Sequence, residues 1–524
     1  MRSHARICRL PAAFAIAAGV FTAAAQTPAS DTAESVVAHV RQALGVDTLK
    51  AHPAGVRLTG DCRFLGLDCG FELITNAQSH FMERIDGPIG VTYGFDGTRV
   101  WTDDLGGERR VIECGDRETA VLGAGIITGR WFGDGAPMTF ALANASPEGA
   151  VTLEFHLKDG VAKGTVEIDR ATWLPRSWTF GDGVATQRVE LSGTVAAGAV
   201  KFPAKIEQSS SGGLSIIVTV KNAADAPAFV RSPYEPVLTP PTDVKFDAAI
   251  SPKLEVKRAP TGHLLVHPLI DGKDVGWFIF DTGAGSNCLD SRAAEVLGVE
   301  KIGSIPAAGV GGSVTATLCK PDTLTLGPVT LEKSMMTILD FAFLDQYMGT
   351  KVGGIVGYGL LQRVVAEFDP LKGEISLFDP AKFDGSTLHW QKLTLYGRHP
   401  CVEAAFEGHT GLFKLDTGAQ GTVTLHYPAV ESLKLLEGRE TIAAQQGGVG
   451  GRVAAKSGKL AWFELGGVRT DNLTAVFAAE NKGAFADQYT LGNIGGDLLK
   501  PFRLVTDYQH DRIAFVKREA EPSK

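Results

Sequence analysis

The 524-residue chain has no cluster of Lys and Arg, no long apolar run beyond its first 25 residues, and only 7 cysteines. Each absence excludes something. Without a basic stripe, and with a formal net charge of -8, the chain is not expected to bind nucleic acid. Without roughly 18 consecutive apolar residues it is not expected to be an integral membrane protein. It has no His-Glu-x-x-His run, no Gly-x-Ser-x-Gly elbow and no phosphate-cradling Gly-Lys-Ser/Thr loop. His263 and His267 sit four apart on an expected strand, too far apart to share a metal ion. The glycine-rich run near Gly447 is not followed by a convincing helix, which argues against a nucleotide site. Neither a metal nor a cofactor is therefore expected.

What is present reads as an ordinary globular chain, with 44 % hydrophobic and 21 % charged residues. Its length calls for two to four domains, since one core does not grow that large. Residues 1–25 read as an export signal: Arg2, Arg6 and Arg9 precede the short apolar "AAFAIAAGVFTAAA", which ends on small residues. The expected location is thus periplasmic or secreted. Cleavage removes Cys8 and leaves Cys62, Cys69, Cys114, Cys288, Cys319 and Cys401. In an oxidising compartment these could pair, Cys62 with Cys69 across a hairpin and Cys288 with Cys319 within one domain, although spacing alone leaves fifteen pairings open.

The pattern along the chain is mainly β. "DTAESVVAHVRQALG" (residues 31–45) has helical spacing, a capping start and a glycine stop. From about Val56 to Val220 short alternating runs are punctuated by turns such as "FDGTR", as expected for an antiparallel sheet with one greasy face. Residues 26–225 are read as this β-rich accessory domain. The proline-rich "APAFVRSPYEPVLTPP" opens an expected linker over 226–261, although a surface strap has the same composition.

Beyond it the chain repeats itself. "FDTGAGSN" matches "LDTGAQGT", "GVGGSVTAT" matches "GVGGRVAAK", and "GGIVGYGLL" matches "LGNIGGDLL". The offsets agree: Asp281 to Asp416 is 135 positions, Gly309 to Gly448 is 139, and Gly357 to Gly495 is 138. Two equivalent lobes follow, 262–385 and 386–518, with a short tail at 519–524.

In each lobe an apolar strand ends abruptly in Asp-Thr-Gly-Ala. Asp and Gly are poor strand residues, so the chain turns sharply there with a carboxylate at the corner. A pseudo-twofold arrangement would bring Asp281 and Asp416 together. Two close carboxylates share one proton; the charged one can then activate a water while the protonated one polarises a carbonyl. The aspartic-protease dyad is the standard illustration of such a pair.

Residues 262–518 resemble two fused copies of the retropepsin-like aspartic protease fold. The matching words are "DTGA" at 281–284 and 416–419, and the later "GIVGYGLL" and "NIGGDLL". The resemblance implies Asp281 and Asp416 as the catalytic pair and Thr282 and Thr417 as ties between the two loops. Gly283 and Gly418 would permit the tight turns. The two "GVGG" stretches would be flap-like hairpins, bringing Gly311, Gly312, Gly450 and Gly451 to the substrate; neither carries a tyrosine near its tip. Residues 31–225 more loosely resemble exported lipoprotein carriers, which implies a hydrophobic ligand in a cavity lined by Trp101, Trp173 and Trp178. The expected function is an exported aspartic-type endopeptidase acting on polypeptides. One chain builds the whole pair, so a monomer suffices. The alternatives are a peptide- or lipid-binding protein that keeps the fold without turnover, and hydrolysis of a non-peptide bond by the same carboxylates.

Overall fold

The computed structural model describes residues 31–107, 109–145, 149–158, 160–181 and 183–518. The expected export signal and the tail lie outside the described residues. No helix among those described is long and apolar enough to cross a membrane.

Two antiparallel meanders build the N-terminal sheet, of 13 strands. One runs outward from Val56–Phe64 to Arg109–Ile112, and the other from Ser215–Asp225 to Met138–Ala145. Val56–Phe64 pairs with Ser215–Asp225 and joins them. Helix α1 (Ala33–Leu44) and helix α2 (Cys114–Thr128) cover its greasy face. Thr32 and Ser35 cap α1 reciprocally and Gly45 ends it in the left-handed region. Helix α2 touches both Val100–Asp103 and Val200–Ser210, which lie six strands apart in the sheet, so the sheet curls around it. Of the three tryptophans expected to line a cavity, Trp178 is buried between Phe132 and Phe155, and Trp101 donates to the Tyr234 carbonyl at 2.7 Å. Trp173 stacks on His39 near the surface. Val36, Val40, Leu122 and Ile126 from the two helices occupy the concave face.

The proline-rich stretch is a strap rather than a free connector. Tyr234 packs with Ile74 and Ala226 on the N-terminal sheet. Further on, Val244–Phe246 pairs with Val329–Glu332, so the expected linker already supplies strands to the first lobe.

The two lobes repeat one sheet. In lobe 1 the strands are β1 (Val256–Arg258), β2 (Leu264–Val266), β3 (Trp277–Phe280), β4 (Asn287–Asp290), β5 (Lys301–Gly309), β6 (Gly312–Cys319), β7 (Met336–Leu339) and β8 (Val352–Val356). In lobe 2 they are β9 (Thr394–Tyr396), β10 (His399–Phe406), β11 (His409–Asp416), β12 (Val423–Leu425), β13 (Thr441–Gly448), β14 (Gly451–Leu465), β15 (Val468–Ala478) and β16 (Gly492–Gly495). The spatial orders are β1-β2-β3-β8-β4-β7-β6-β5 and β9-β10-β11-β16-β12-β15-β14-β13, the same order with every number raised by eight. A third sheet fastens the lobes together: Val365–Asp369 of lobe 1 pairs with Phe502–Asp507 of lobe 2. One apolar core, including Phe280, Phe368, Phe413 and Leu504, runs through both.

All six described cysteines are free thiols. Cys62 lies directly opposite Cys69 in the hairpin register. Cys288 on β4 and Cys319 on β6 are separated by β7, a geometry that does not suit a disulfide.

Candidate active site

Strands β3 and β11 end at Phe280 and Asp416, and each pairs in parallel with the glycine-bearing strand β8 or β16. The sheet stops where glycine and aspartate cannot continue it. The turns that follow meet across the lobe interface.

Two threonines lock them. The Thr282 hydroxyl accepts from Thr417 N at 3.1 Å and donates to the Leu415 carbonyl at 2.8 Å. The Thr417 hydroxyl accepts from Thr282 N at 3.0 Å and donates to the Phe280 carbonyl at 3.0 Å. Each side chain thus satisfies a backbone donor and a backbone acceptor of the opposite turn. Valine, though similar in shape, could do neither.

The lock brings Asp281 and Asp416 within hydrogen-bonding reach of one another. Both are half-buried, so the pair keeps an open edge. Gly283 and Gly418 have no left-handed φ, so turn geometry does not demand glycine there. Proximity does: a Cβ at Gly283 would overlap the Asp416 carboxylate, and one at Gly418 would overlap that of Asp281.

The two carboxyls are not equivalent. Asp281 Oδ1 accepts from Gly283 N at 2.7 Å and from Gly418 N at 3.1 Å, bonds that favour the anion. Burial nevertheless raises its pKa above the usual carboxylate value. Burial and the neighbouring Asp281 charge raise Asp416 to about 7. Just below about pH 7 the two carboxyls therefore share a proton between them.

The hairpins β5–β6 and β13–β14 meet at their tips, where Gly311 N donates to the Val449 carbonyl at 3.1 Å. A Cβ at Gly311 would overlap the backbone of Gly450. Gly312, Gly450 and Gly451 have positive φ values of 129°, 82° and 113°, as tight tips require. Val310 at the first tip packs with Val453, Ala478 and Phe485 of lobe 2. The residues singled out from the sequence thus fall in two groups, the turns and the hairpin tips.

Other side chains reach the turns unannounced by any motif. His263 donates through Nε2 to the Gly418 carbonyl at 2.9 Å, while its Nδ1 pairs with the Thr261 hydroxyl at 2.7 Å. Burial holds its pKa down. Its repeat mate His399, 136 positions on, approaches the Gly283 carbonyl, and burial pushes it down to about 4. The carboxamide of Asn493 stands 3.5 Å from Asp416 Oδ2, and its Oδ1 accepts from His426 Nε2 at 3.0 Å. Lys414, two residues before Asp416, forms a buried ion pair with Asp487 at 2.6 Å. The repeat itself was the available signal for His399. For Lys414 it was a charged residue inside the apolar "LFKLD".

The aspartyl protease family matches the chain twice, over residues 266–360 and 402–497. Each match spans one Asp-Thr-Gly-Ala turn. No curated protein matches the chain. Among solved structures, the aspartic proteinase from Irpex lacteus is similar at 14 % identity over 51 % of this chain and 96 % of its own, with a TM-score of 0.34. By its two family matches, the two-lobed half of this chain is aspartyl protease-like.

Proposed function

We propose that the chain is an aspartic-type endopeptidase that hydrolyses peptide bonds through a water held by Asp281 and Asp416. One observation carries the reading: two carboxyls locked face to face across the lobe interface by reciprocal threonine bonds. Asp281, with two amides on Oδ1, is the base that takes a proton from the water. Asp416 donates its proton to the scissile carbonyl oxygen and so stabilises the tetrahedral intermediate. The proton gained by Asp281 then passes to the departing amine. No covalent intermediate is needed. The two hairpins would hold an extended peptide over the pair.

The test is hydrolysis of an unstructured protein between pH 3 and 8. Asp281→Asn is expected to lower the rate by about 10²-fold or more. In the wild type, activity should fade as pH rises through about 7, where Asp416 loses its proton. Equal rates in wild type and Asp281→Asn would remove this mechanism. Retention of peptides or lipids without turnover would favour the binding role instead. Export is part of the proposal, on the strength of the sequence of residues 1–25 alone; it is tested by fractionating cells that express the full chain.

A further inference from the structure

The repeat makes a comparison available beside the dyad. At the seam between the lobes a hollow of about 260 Å³ opens next to the Asp416 turn. Gln420, Gly496, Asp497 and Lys500 line it, together with Gly262 from the turn before β2. The repeat offsets of 135, 138 and 136 convert these into Gly285, Tyr358, Gly359, Gln362 and Arg398. All five line a second hollow, beside the Asp281 turn, of only about 30 Å³. That is room for a water or two.

The N-terminal domain fills the difference. Asp104, Leu105 and Gly106, on the loop between Val100–Asp103 and Arg109–Ile112, reach into the lobe 1 hollow. Asp104 is buried, and its Oδ1 accepts from Gly106 N at 2.8 Å, which holds the loop bent. Its carboxylate lies 3.9 Å from Arg398 Nε. The Gly106 carbonyl accepts from Arg363 Nη2 at 3.2 Å. Arg363 is itself buried; it pairs with Asp243 at 2.6 Å and donates to the Gly359 carbonyl at 2.8 Å. The residue 138 positions on is Pro501, which has no group to hold such a loop. The same domain takes Leu318 of β6 into its core and packs Ile305 of β5 against it. It therefore covers lobe 1 from the hairpin base to the turn, whereas Gln420, the repeat mate of Gly285, stays exposed.

Gly285 and Ser286 follow Asp281 by four and five residues. A peptide laid across the dyad advances about 3.3 Å per residue, so it meets this wall within a few residues of the bond being cut. We propose that the Asp104–Gly106 loop closes the lobe 1 end of the cleft. The cleft is then one-ended: substrate runs out only past lobe 2, which narrows the endopeptidase reading to internal bonds a few residues from one terminus. The substrate class is short or frayed peptide ends. This rests on the peptidase reading above.

The first experiment needs no activity. Gly285→Cys and Gln420→Cys occupy equivalent positions in the full chain, and their reaction with a bulky maleimide measures access to each end. Gln420→Cys is expected to react at least tenfold faster. Adding Leu105→Gly should narrow that gap. Equal rates in the unaltered loop would overturn the closed end. The second experiment lengthens defined peptides on one side of the cut or the other. A loss of tenfold or more on lengthening one arm, with the other arm tolerated, supports the proposal. Tolerance of long arms on both sides overturns it while leaving the dyad intact. Unequal labelling with no cleavage of any peptide would keep the closed end and reject the peptidase.

Discussion

Lobe 1 and lobe 2 share a strand order and an Asp-Thr-Gly-Ala turn, yet they support their carboxylates differently. Behind Asp281, lobe 1 places Ile279 and Ile355. The equivalent positions behind Asp416 hold Lys414 and Asn493, with Asp487 and His426 completing a buried polar cluster. An assembly of two identical chains cannot do this, because any change appears in both halves. Fusing the copies frees each to specialise. Here lobe 1 backs its carboxylate with apolar side chains, and lobe 2 backs its own with a buried ion pair and a histidine.

The largest effect that separates the lobes should come from Asp487→Ala. It leaves the Lys414 ammonium buried and unpaired, and is expected to cost about 3–5 kcal/mol in denaturant unfolding. Giving lobe 2 the apolar character of lobe 1, with Lys414→Ile and Asp487→Val together, should recover most of that loss. If the double variant is no more stable than Asp487→Ala, the ion pair is not the reason the lobes differ.

The dyad itself gives the next effect, through pH. Asp416 is raised in the folded state to about 7 from 3.8. Below its unfolded pKa both states hold the proton, and the stabilisation is fully present. As pH rises through about 7 the folded state must give it up, and the stabilisation is lost. Between pH 4 and 8 this single group should remove up to about 4 kcal/mol. Asp416→Asn should flatten that part of the pH–stability curve; an unchanged slope would place the proton elsewhere.

The smallest effect tests what the lobes still share. Thr282→Val and Thr417→Val each strip partners from one amide and one carbonyl, and should each cost about 2 kcal/mol. Near-equal losses by thermal unfolding mark the lock as symmetric; a difference of a kilocalorie or more would extend the divergence to the threonines.

The repeat made much of this legible in advance. Its three matched words located the turns, the hairpins and the glycine strands, because each carries residues that a sheet interior rejects. The Lys414–Asp487 pair was hidden, since 73 positions separate the partners and no periodicity joins them. The reason for Gly283 and Gly418 was hidden too, because it lies in the opposite turn rather than in their own backbone. The docking of Asp104–Gly106 left no trace in composition: a three-residue loop on another domain obeys no pattern of the lobe it enters. The strap around Tyr234 read as a linker because prolines favour extended backbone whether or not it is packed.

The shared sheet also sets a clock. Val365–Asp369 pairs on one side with Glu374–Phe378 of its own lobe, and on the other with Phe502–Asp507, a strand made only after most of lobe 2. A ribosome working from the N-terminus has made the N-terminal domain and all of lobe 1 long before that strand exists. Until it does, Asp281 has no firmly held companion. A chain cut short of Phe502–Asp507 is therefore expected to leave the two carboxylates apart, however well each lobe folds by itself.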